Sequence, residues 1–505
     1  MLVRAKSLVN SFHVTVRTPP EVLGMICSHL TEEGLFSASQ VCQYWRTALI
    51  STPSLWSRVS CGRQPPARTT ASLQRSGPLP IRLQIKPPFP AAALEDVQAC
   101  KNKIVSLTIH HKYTKGFPLH QLLPPSMPHL ERLCICVPSF WVCEFQEQTP
   151  REVWQGLKSL RELLVYRYSL PIDQFTAPNL VHLALHSPGY RQNVTLRIIL
   201  DMLHQCPLLE TLFISYSNIL PPAAPRDHPT ACLPYLRNLE LGAYELRSGL
   251  IAHLDFPKNI TAGFWAMSQS DVCGDIPPSV KAAVECVLGR IDIYCITLAT
   301  HRLSRQESEH FLRFEGPQGS LEIHVRITDP AELPDIFGQQ GVLFSHKPRI
   351  EEVRELQIVG CYIHNSRASY LLNLAMPNVV SISFFGCNGL HMRGLLAPPR
   401  PISLPFPHLE RVMVLGSEQG LEDMARRRKD LGAQLKSLVI GRALTEFEYN
   451  KLEDYTALEG LVDNLWVGCP TQIFEWLATN EIANVWSMVM TPTEVSTGGN
   501  LATWT

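Results

Sequence analysis

One short hydrophobic pattern, apolar-x-x-apolar-x-apolar, recurs along most of the chain. It occurs as Ile104-Leu107-Ile109, Leu130-Leu133-Ile135, Leu160-Leu163-Val165, Leu180-Leu183-Leu185, Leu209-Leu212-Ile214, Leu236-Leu239-Leu241, Val353-Leu356-Ile358, Val379-Ile382-Phe384, Leu409-Val412-Val414 and Leu435-Leu438-Ile440. The second and third apolar residues alternate as on a strand with one buried face, and the first closes the turn that leads into it. The pattern therefore predicts about ten short strands.

Helices are predicted between some of these strands. Residues 194–206 and 418–431 carry apolar side chains at helical spacing, namely Leu196, Ile199, Leu200 and Leu203 in the first segment and Leu421, Met424 and Leu431 in the second, with Gly432 as a C-cap. Neighbouring motifs start about 20 to 30 residues apart, which matches or slightly exceeds the period of leucine-rich repeats. Strand followed by helix, repeated, predicts an α/β, leucine-rich-repeat-like solenoid with a curved parallel sheet over residues 80–465.

Two parts of this solenoid allow more than one interpretation. The basic run 426–429 in the second helix is interpreted as a solvated face, with an anion or nuclear-import patch as the alternative. Between 242 and 350 the pattern loosens, although residues 321–327 alternate as a strand and Pro277-Pro278 opens a predicted helix. We interpret this stretch as degenerate repeats, not as a second fold.

Residues 19–59 follow a different pattern, which predicts three short amphipathic helices. Pro19-Pro20 and Glu21 suit the first turn of a helix. The apolar positions are Val22, Leu23, Ile26 and Leu30 in the first helix, Leu35 and Phe36 in the second, and Val41, Cys42, Trp45, Ala48 and Leu49 in the third, which begins near Ser39. About forty residues bury too little surface to be comfortably stable alone, so this segment is interpreted as an interaction module.

This segment resembles an F-box, the motif by which substrate receptors dock on the Skp-type adaptor of SCF (Skp adaptor–cullin–F-box) ubiquitin ligases. The resemblance rests on Pro-Pro-Glu-Val-Leu at 19–23, Val-Cys-x-x-Trp at 41–45 and Pro-Ser-Leu-Trp at 53–56, in order and at the family's spacing. Thr18 departs from the family's leucine, and Gly34 departs from its acidic residue. Some other small amphipathic bundle is the alternative interpretation.

The resemblance implies both a partner and a set of contact residues. The implied adaptor contacts are Pro19, Pro20, Val22, Leu23, Ile26, Leu30, Leu35, Val41, Cys42 and Trp45. An F-box followed by irregular leucine-rich repeats also resembles the large F-box protein sets of mushroom-forming fungi. Strand residues that face away from the core are expected to bind a protein substrate, with Tyr168, Tyr244, Glu162, His182 and Asn238 as the candidate contacts.

The expected organisation follows from these patterns. We expect a flexible leader at 1–16, the F-box at 17–59, a Pro- and Arg-rich connector at 60–79, the solenoid at 80–465, and a C-terminal cap and disordered tail at 466–505. The leader carries basic residues and no acid, so it also faintly resembles a mitochondrial presequence.

Composition narrows the function further. Lys+Arg and Asp+Glu both number 45, and this balance of charge does not favour nucleic acid or an anionic membrane as partner. No run of apolar residues is long enough to span a membrane. Fifteen cysteines without a signal peptide indicate reduced thiols in the cytosol or nucleus. Cys134, Cys136 and Cys143 lack the spacing of a zinc site, so we expect no metal and no cofactor.

No nucleotide-binding or hydrolase motif occurs in the sequence, so we expect a protein without catalytic activity of its own. The favoured function is the substrate-recognition subunit of an SCF ligase, with the repeats holding a protein substrate and the adaptor linking the chain to a cullin–RING ligase. The alternative is a non-catalytic repeat scaffold outside the ubiquitin pathway, if Thr18 and Gly34 prevent docking.

Overall fold

The computed structural model describes residues 18–62, 65–86, 91–110, 127–136, 154, 156–166, 175–186, 194–215, 219–220, 228–268, 278–302, 308–327, 350–360, 372, 374–387, 392, 395–396, 405–415, 420–441 and 455–468. The chain divides into two compact units, Met1–Asn238 with His253–Pro257, and Leu239–Ala252 with Lys258–Thr505. The predicted leader, Cys143 and most of the predicted tail lie outside the described residues.

The first unit begins with the three predicted helices, α1 (Pro20–Cys27), α2 (Glu32–Ala38) and α3 (Gln43–Ile50), followed by a 3-10 turn at Pro53–Trp56. The Thr31 hydroxyl caps α2 by accepting from the Gly34 backbone N–H at 3.2 Å. Cys42 has extended backbone angles and caps α3 through its sulfur. The third helix therefore starts at Gln43 and not near Ser39.

Seven parallel strands follow in the first unit, paired in chain order. They are β1 (Arg58–Cys61), β2 (Ile81–Ile85), β3 (Ile104–His110), β4 (Arg132–Cys136), β5 (Glu162–Tyr166), β6 (His182–His186) and β8 (Thr211–Ser215). Two short parallel pairs join β7 (Val194–Thr195) to β9 (Ile219–Leu220) and β10 (Ala231–Cys232) to β12 (Leu254–Asp255). The helices are α4 (Pro66–Arg75), α5 (Ala91–Cys100) and α6 (Leu196–His204), with a 3-10 turn at Lys101–Lys103. A further 3-10 turn, Leu250–His253, begins in the second unit and ends with His253 of the first.

The apolar positions of the repeated motif form the core of this unit. Leu133, Leu163, Leu183 and Leu212 lie side by side in the parallel register, and none is more than 1% exposed. The residues directly before and after each of these leucines point to the opposite face, because side chains alternate along a strand. The motif thus specifies which face of each strand is buried.

The structure differs from the prediction over residues 60–79. The predicted connector contains α4 and the end of β1, and Thr69, Ser72 and Leu73 of α4 are buried. Pro66 stands at the first position of α4, where its fixed φ and missing N–H suit a helix start. The same prolines that suggested a linker therefore begin a packed helix.

The second unit is also built on a mostly parallel sheet. Its strands are β11 (Asn238–Gly242), β13 (Thr261–Ser268), β14 (Cys295–Arg302), β15 (Ser308–Gly316), β16 (Gly319–Ile327), β17 (Glu355–Val359), β18 (Ser381–Phe385), β19 (Arg411–Leu415), β20 (Leu435–Gly441) and β21 (Val462–Gly468). Its helices are α7 (Ala243–Arg247), α8 (Pro278–Leu288) and α9 (Leu421–Asp430), with a 3-10 turn at Tyr455–Ala457. Strand β21 runs past residue 465, where the solenoid was predicted to end.

The loosened stretch 242–350 contains the predicted helix at Pro278 and the predicted strand at 321–327. Its strands, however, are not all parallel, because β15 pairs antiparallel with both β14 and β16. Parallel pairing continues from β16 to β13 and from β14 to β17. One antiparallel strand, β15, therefore interrupts the parallel repeat here. The ten strands that the motif predicted all form.

The basic run at 426–429 is not a uniformly solvated face. Arg428 is fully buried and donates hydrogen bonds to the carbonyl oxygens of Pro405, at 2.8 Å, and Phe406, at 3.0 Å. Burial lowers the pKa of Arg428 to about 10. In this run Arg426, which pairs with Glu422, and Lys429 are exposed, and Arg427 is half-buried. Arg428 therefore holds the turn before β19.

Candidate functional site

The helices α1 to α3 pack around a small apolar core. Leu23 and Cys27 of α1, Leu35 and Phe36 of α2, Ala48 and Leu49 of α3, together with Ala38, Leu55 and Trp56, form one buried cluster. Trp56 is 1% exposed, donates its indole N–H to the Leu49 carbonyl at 2.8 Å, and meets the Phe36 ring edge-on at 5.2 Å. Buried tryptophans of this kind contribute strongly to stability.

Several apolar side chains on α1 and in the turns that follow α1 and α2 are exposed. Val22 is 43% exposed, Met25 69%, Ile26 55%, Leu30 42% and Val41 63%. We call these five residues the exposed apolar surface. Six of the ten large hydrophobic side chains that are exposed among the described residues fall between positions 22 and 50, while single exposed apolar side chains elsewhere are ordinary. Such a concentration on a water-facing side is typical of a protein-docking surface.

The predicted adaptor contacts separate into three groups. Pro19, Pro20, Val22, Ile26, Leu30 and Val41 are exposed, Leu23 and Leu35 are buried in the core, and Cys42 and Trp45 are partly buried. Trp45 packs against the core cluster, and Cys42 caps α3. The two buried leucines therefore support the surface from beneath and are not part of it. Met25, the most exposed apolar side chain, was missed, although it lies one helical turn after Val22.

The three helices are joined tightly to the strands that follow. Glu32 of α2 accepts a hydrogen bond from the Ser60 backbone N–H at 2.8 Å and another from the Ser72 hydroxyl at 2.8 Å. Burial raises the pKa of the Glu32 carboxyl above its ordinary value, and these two hydrogen bonds act in the opposite direction. One carboxylate thus connects α2 with β1 and α4, a link that was not predicted.

Aromatic packing reinforces this joint. The Arg75 guanidinium at the end of α4 lies 4.4 Å from the centre of the Trp56 ring and 5.1 Å from that of Phe36. Ala71 of α4 also packs on the core cluster. Cation–π contacts and apolar burial therefore hold α4 against the helical core.

A second candidate surface is the strand face of the first unit that points away from its core. Glu162 and His182 are register partners, and His182 is in turn the partner of Thr211, whose hydroxyl accepts from the Asn238 amide at 3.4 Å. Glu162 forms an ion pair with Arg132 at 3.1 Å. The structure therefore places Glu162, His182 and Asn238 along one row.

Aromatic rings follow a parallel row on this face. Tyr166 and His186 are register partners whose rings stack with centroids 4.6 Å apart, and Phe213 lies 5.8 Å from His186. All three side chains are partly exposed. Tyr168 lies outside the described residues, and Tyr244 belongs to α7 with its side chain outside the description, so both stay predictions.

The two cysteines of β4 lie on the same face, as predicted. Cys134 is 6% exposed, and burial raises its pKa to about 11.

Among the described residues, no group of three His, Cys, Asp or Glu side chains is arranged to hold a metal ion. Within the same residues, the helices are all too short or too polar to cross a membrane.

Comparison with known proteins agrees with the helical part of this description. Residues 19–62 match the family model described as F-box-like, so this segment is an F-box-like domain. No curated protein matches the sequence. Among solved structures, the chain is similar to one in the crystal structure of the Rad7 and Elc1 complex in yeast, with 12% identity, a TM-score of 0.31, and coverage of 83% of this chain and 94% of that chain.

Proposed function

We propose that this chain is the substrate-recognition subunit of an SCF ubiquitin ligase. In this proposal the F-box-like domain docks a Skp-type adaptor, which connects it to a cullin–RING ligase. The exposed apolar surface carries the proposal, since it lies within the segment that matches the F-box-like model. Surfaces of this kind gain binding free energy when a partner removes them from water.

The strand face of the first unit is proposed as the site that holds a protein substrate. Its partly exposed rings of Tyr166, His186 and Phe213 can serve as anchors of the kind that dominate protein interfaces. The flanking row with Glu162, His182 and Asn238 supplies polar specificity. In this role the chain contributes proximity and orientation, and other subunits carry out the transfer of ubiquitin.

Co-purification tests the proposed docking directly. Tagged chain co-expressed with a Skp-type adaptor and a cullin should retain both proteins. Ile26→Asp should lose both, by more than about 100-fold in affinity, because a carboxylate would be buried without a partner at the interface. Ile26 is 55% exposed, so its replacement should leave the melting temperature nearly unchanged.

Leu431→Asp is the matched control, because Leu431 is 51% exposed, follows the last residue of α9 and belongs to the second unit, outside the F-box-like segment. This variant should retain adaptor and cullin at the wild-type level. If wild-type chain captures no adaptor, or if Ile26→Asp captures as much as Leu431→Asp, the proposed function is wrong.

A further inference from the structure

A cleft of about 780 Å³ opens in the first unit beside the exposed apolar surface. It lies between the end of α1, the 3-10 turn after α3 and the start of the first strands. Its lining includes His29, Leu30, Ser54, Ser57, Arg58 and Arg82. The cleft therefore combines hydroxyl groups and cationic side chains with an apolar rim.

Two arginines stand next to each other in this cleft. Arg58 of β1 and Arg82 of β2 are register partners on adjacent parallel strands, which lie about 4.8 Å apart. Both side chains are exposed, and neither has an ion pair among the described residues. Like charges directly opposite each other across two strands destabilise the sheet. An anion bound between them would remove this repulsion.

The acidic side chain that lines the cleft does not neutralise this pair. Glu32 is the only acidic residue among the described residues that line it. Its two carboxylate oxygens already accept hydrogen bonds from the Ser60 N–H and the Ser72 hydroxyl. The lining of the cleft thus keeps the positive charge of Arg58 and Arg82, which an acidic partner complements.

The cleft is continuous with the exposed apolar surface. Leu30 is 42% exposed and belongs to both, so a protein that covers this surface reaches the cleft without a gap. We propose that the cleft receives an acidic segment of the same adaptor that docks on the exposed apolar surface. This inference rests on the proposed function and adds to it a second, electrostatic contact at Arg58 and Arg82.

The salt dependence of adaptor binding tests this contact. The affinity of purified chain for a purified Skp-type adaptor is measured from about 50 mM to about 500 mM NaCl, where screening becomes strong. The Arg58→Glu/Arg82→Glu variant should bind about 10-fold more weakly at low salt, chiefly through slower association, and should show a flatter salt dependence.

Arg161→Glu/Arg237→Glu is the control with the same change of charge, because both arginines are exposed residues of the first unit and each directly precedes a strand. It should keep the wild-type affinity and salt dependence. Equal affinity and salt dependence for wild type and Arg58→Glu/Arg82→Glu would overturn the inference, while loss of binding in Ile26→Asp would still support the proposed function. No adaptor binding by wild type would refute both.

A competition experiment separates an acidic segment from a small anion. Inorganic phosphate at about 10 mM and constant ionic strength should leave adaptor affinity unchanged, since screening is then matched. If phosphate competes with the adaptor in wild type and not in Arg58→Glu/Arg82→Glu, the cleft binds a free anion, and the inference about the adaptor is wrong.

Discussion

The link made by Glu32 gives a measurable prediction for the stability of the first unit. Glu32→Ala removes two hydrogen bonds to a carboxylate, each contributing about 1.5–3 kcal/mol before the cost of desolvating the charge is subtracted. Burial of Glu32 is the main cause of its raised pKa, so part of that gain is offset. We expect a net loss of about 2 kcal/mol, equivalent to a fall of about 4–8 °C in melting temperature.

Thermal unfolding followed by circular dichroism, together with hydrogen exchange at residues 58–61, measures this loss. Glu33→Ala is the matched control, because Glu33 occupies the next position of the same helix and is exposed. We expect it to change the melting temperature by less than about 2 °C. If the two variants unfold at the same temperature, the bonds of Glu32 do not stabilise the joint.

The pH dependence has a definite sign. The pKa of Glu32 is raised in the folded chain, so the folded state binds this proton more tightly than the unfolded state. The associated stability is present below the ordinary pKa of a glutamate and is lost as the pH rises through the raised value. Wild type should therefore gain stability relative to Glu32→Gln on acidification. The opposite trend would contradict the assigned direction.

Two further predictions concern the second unit and the strand face. Arg428→Met should lower the free energy of unfolding in urea by about 2–4 kcal/mol, because two carbonyl oxygens lose their donor. Arg426→Met, at an exposed position, should have little effect, and equal losses in the two variants would refute this reasoning. Tyr166→Ala removes a ring stacked on His186 and, in the proposed role, should reduce the ubiquitylation of target proteins about 10-fold with adaptor binding unchanged. Quantitative proteomics measures this, and an unaltered set of targets would exclude this face as the substrate site.

The strands of both units could be predicted because their signal is local. In β6, Leu183 and Leu185 are buried and His182 and His186 are partly exposed, as the alternation along a strand requires. The antiparallel pairing of β15 could not be predicted in this way, because alternation is the same in parallel and antiparallel sheets.

The candidate site was predictable in position but not in detail. Val22 and Leu23 are neighbours in one apolar stripe, yet Val22 is 43% exposed and Leu23 is 1% exposed. Which of them faces the core depends on where α3 packs, and a single helix does not contain that information. The partners of Glu32 lie 28 and 40 residues further along the chain, so the sequence around Glu32 does not indicate its role.

The joint between the F-box-like domain and the first strands has a mechanical consequence. The hydrogen bonds of Glu32 and the contact of Arg75 with Trp56 fix α2, β1 and α4 to one another in a rigid joint. A substrate receptor with a hinge at this point would let the bound protein swing, so that many lysines of that protein could reach the ligase in turn. In the role proposed for this chain, such a rigid joint would hold the bound protein in one orientation relative to the ligase. The orientation of the target on the strand face would then decide which of its lysines is modified.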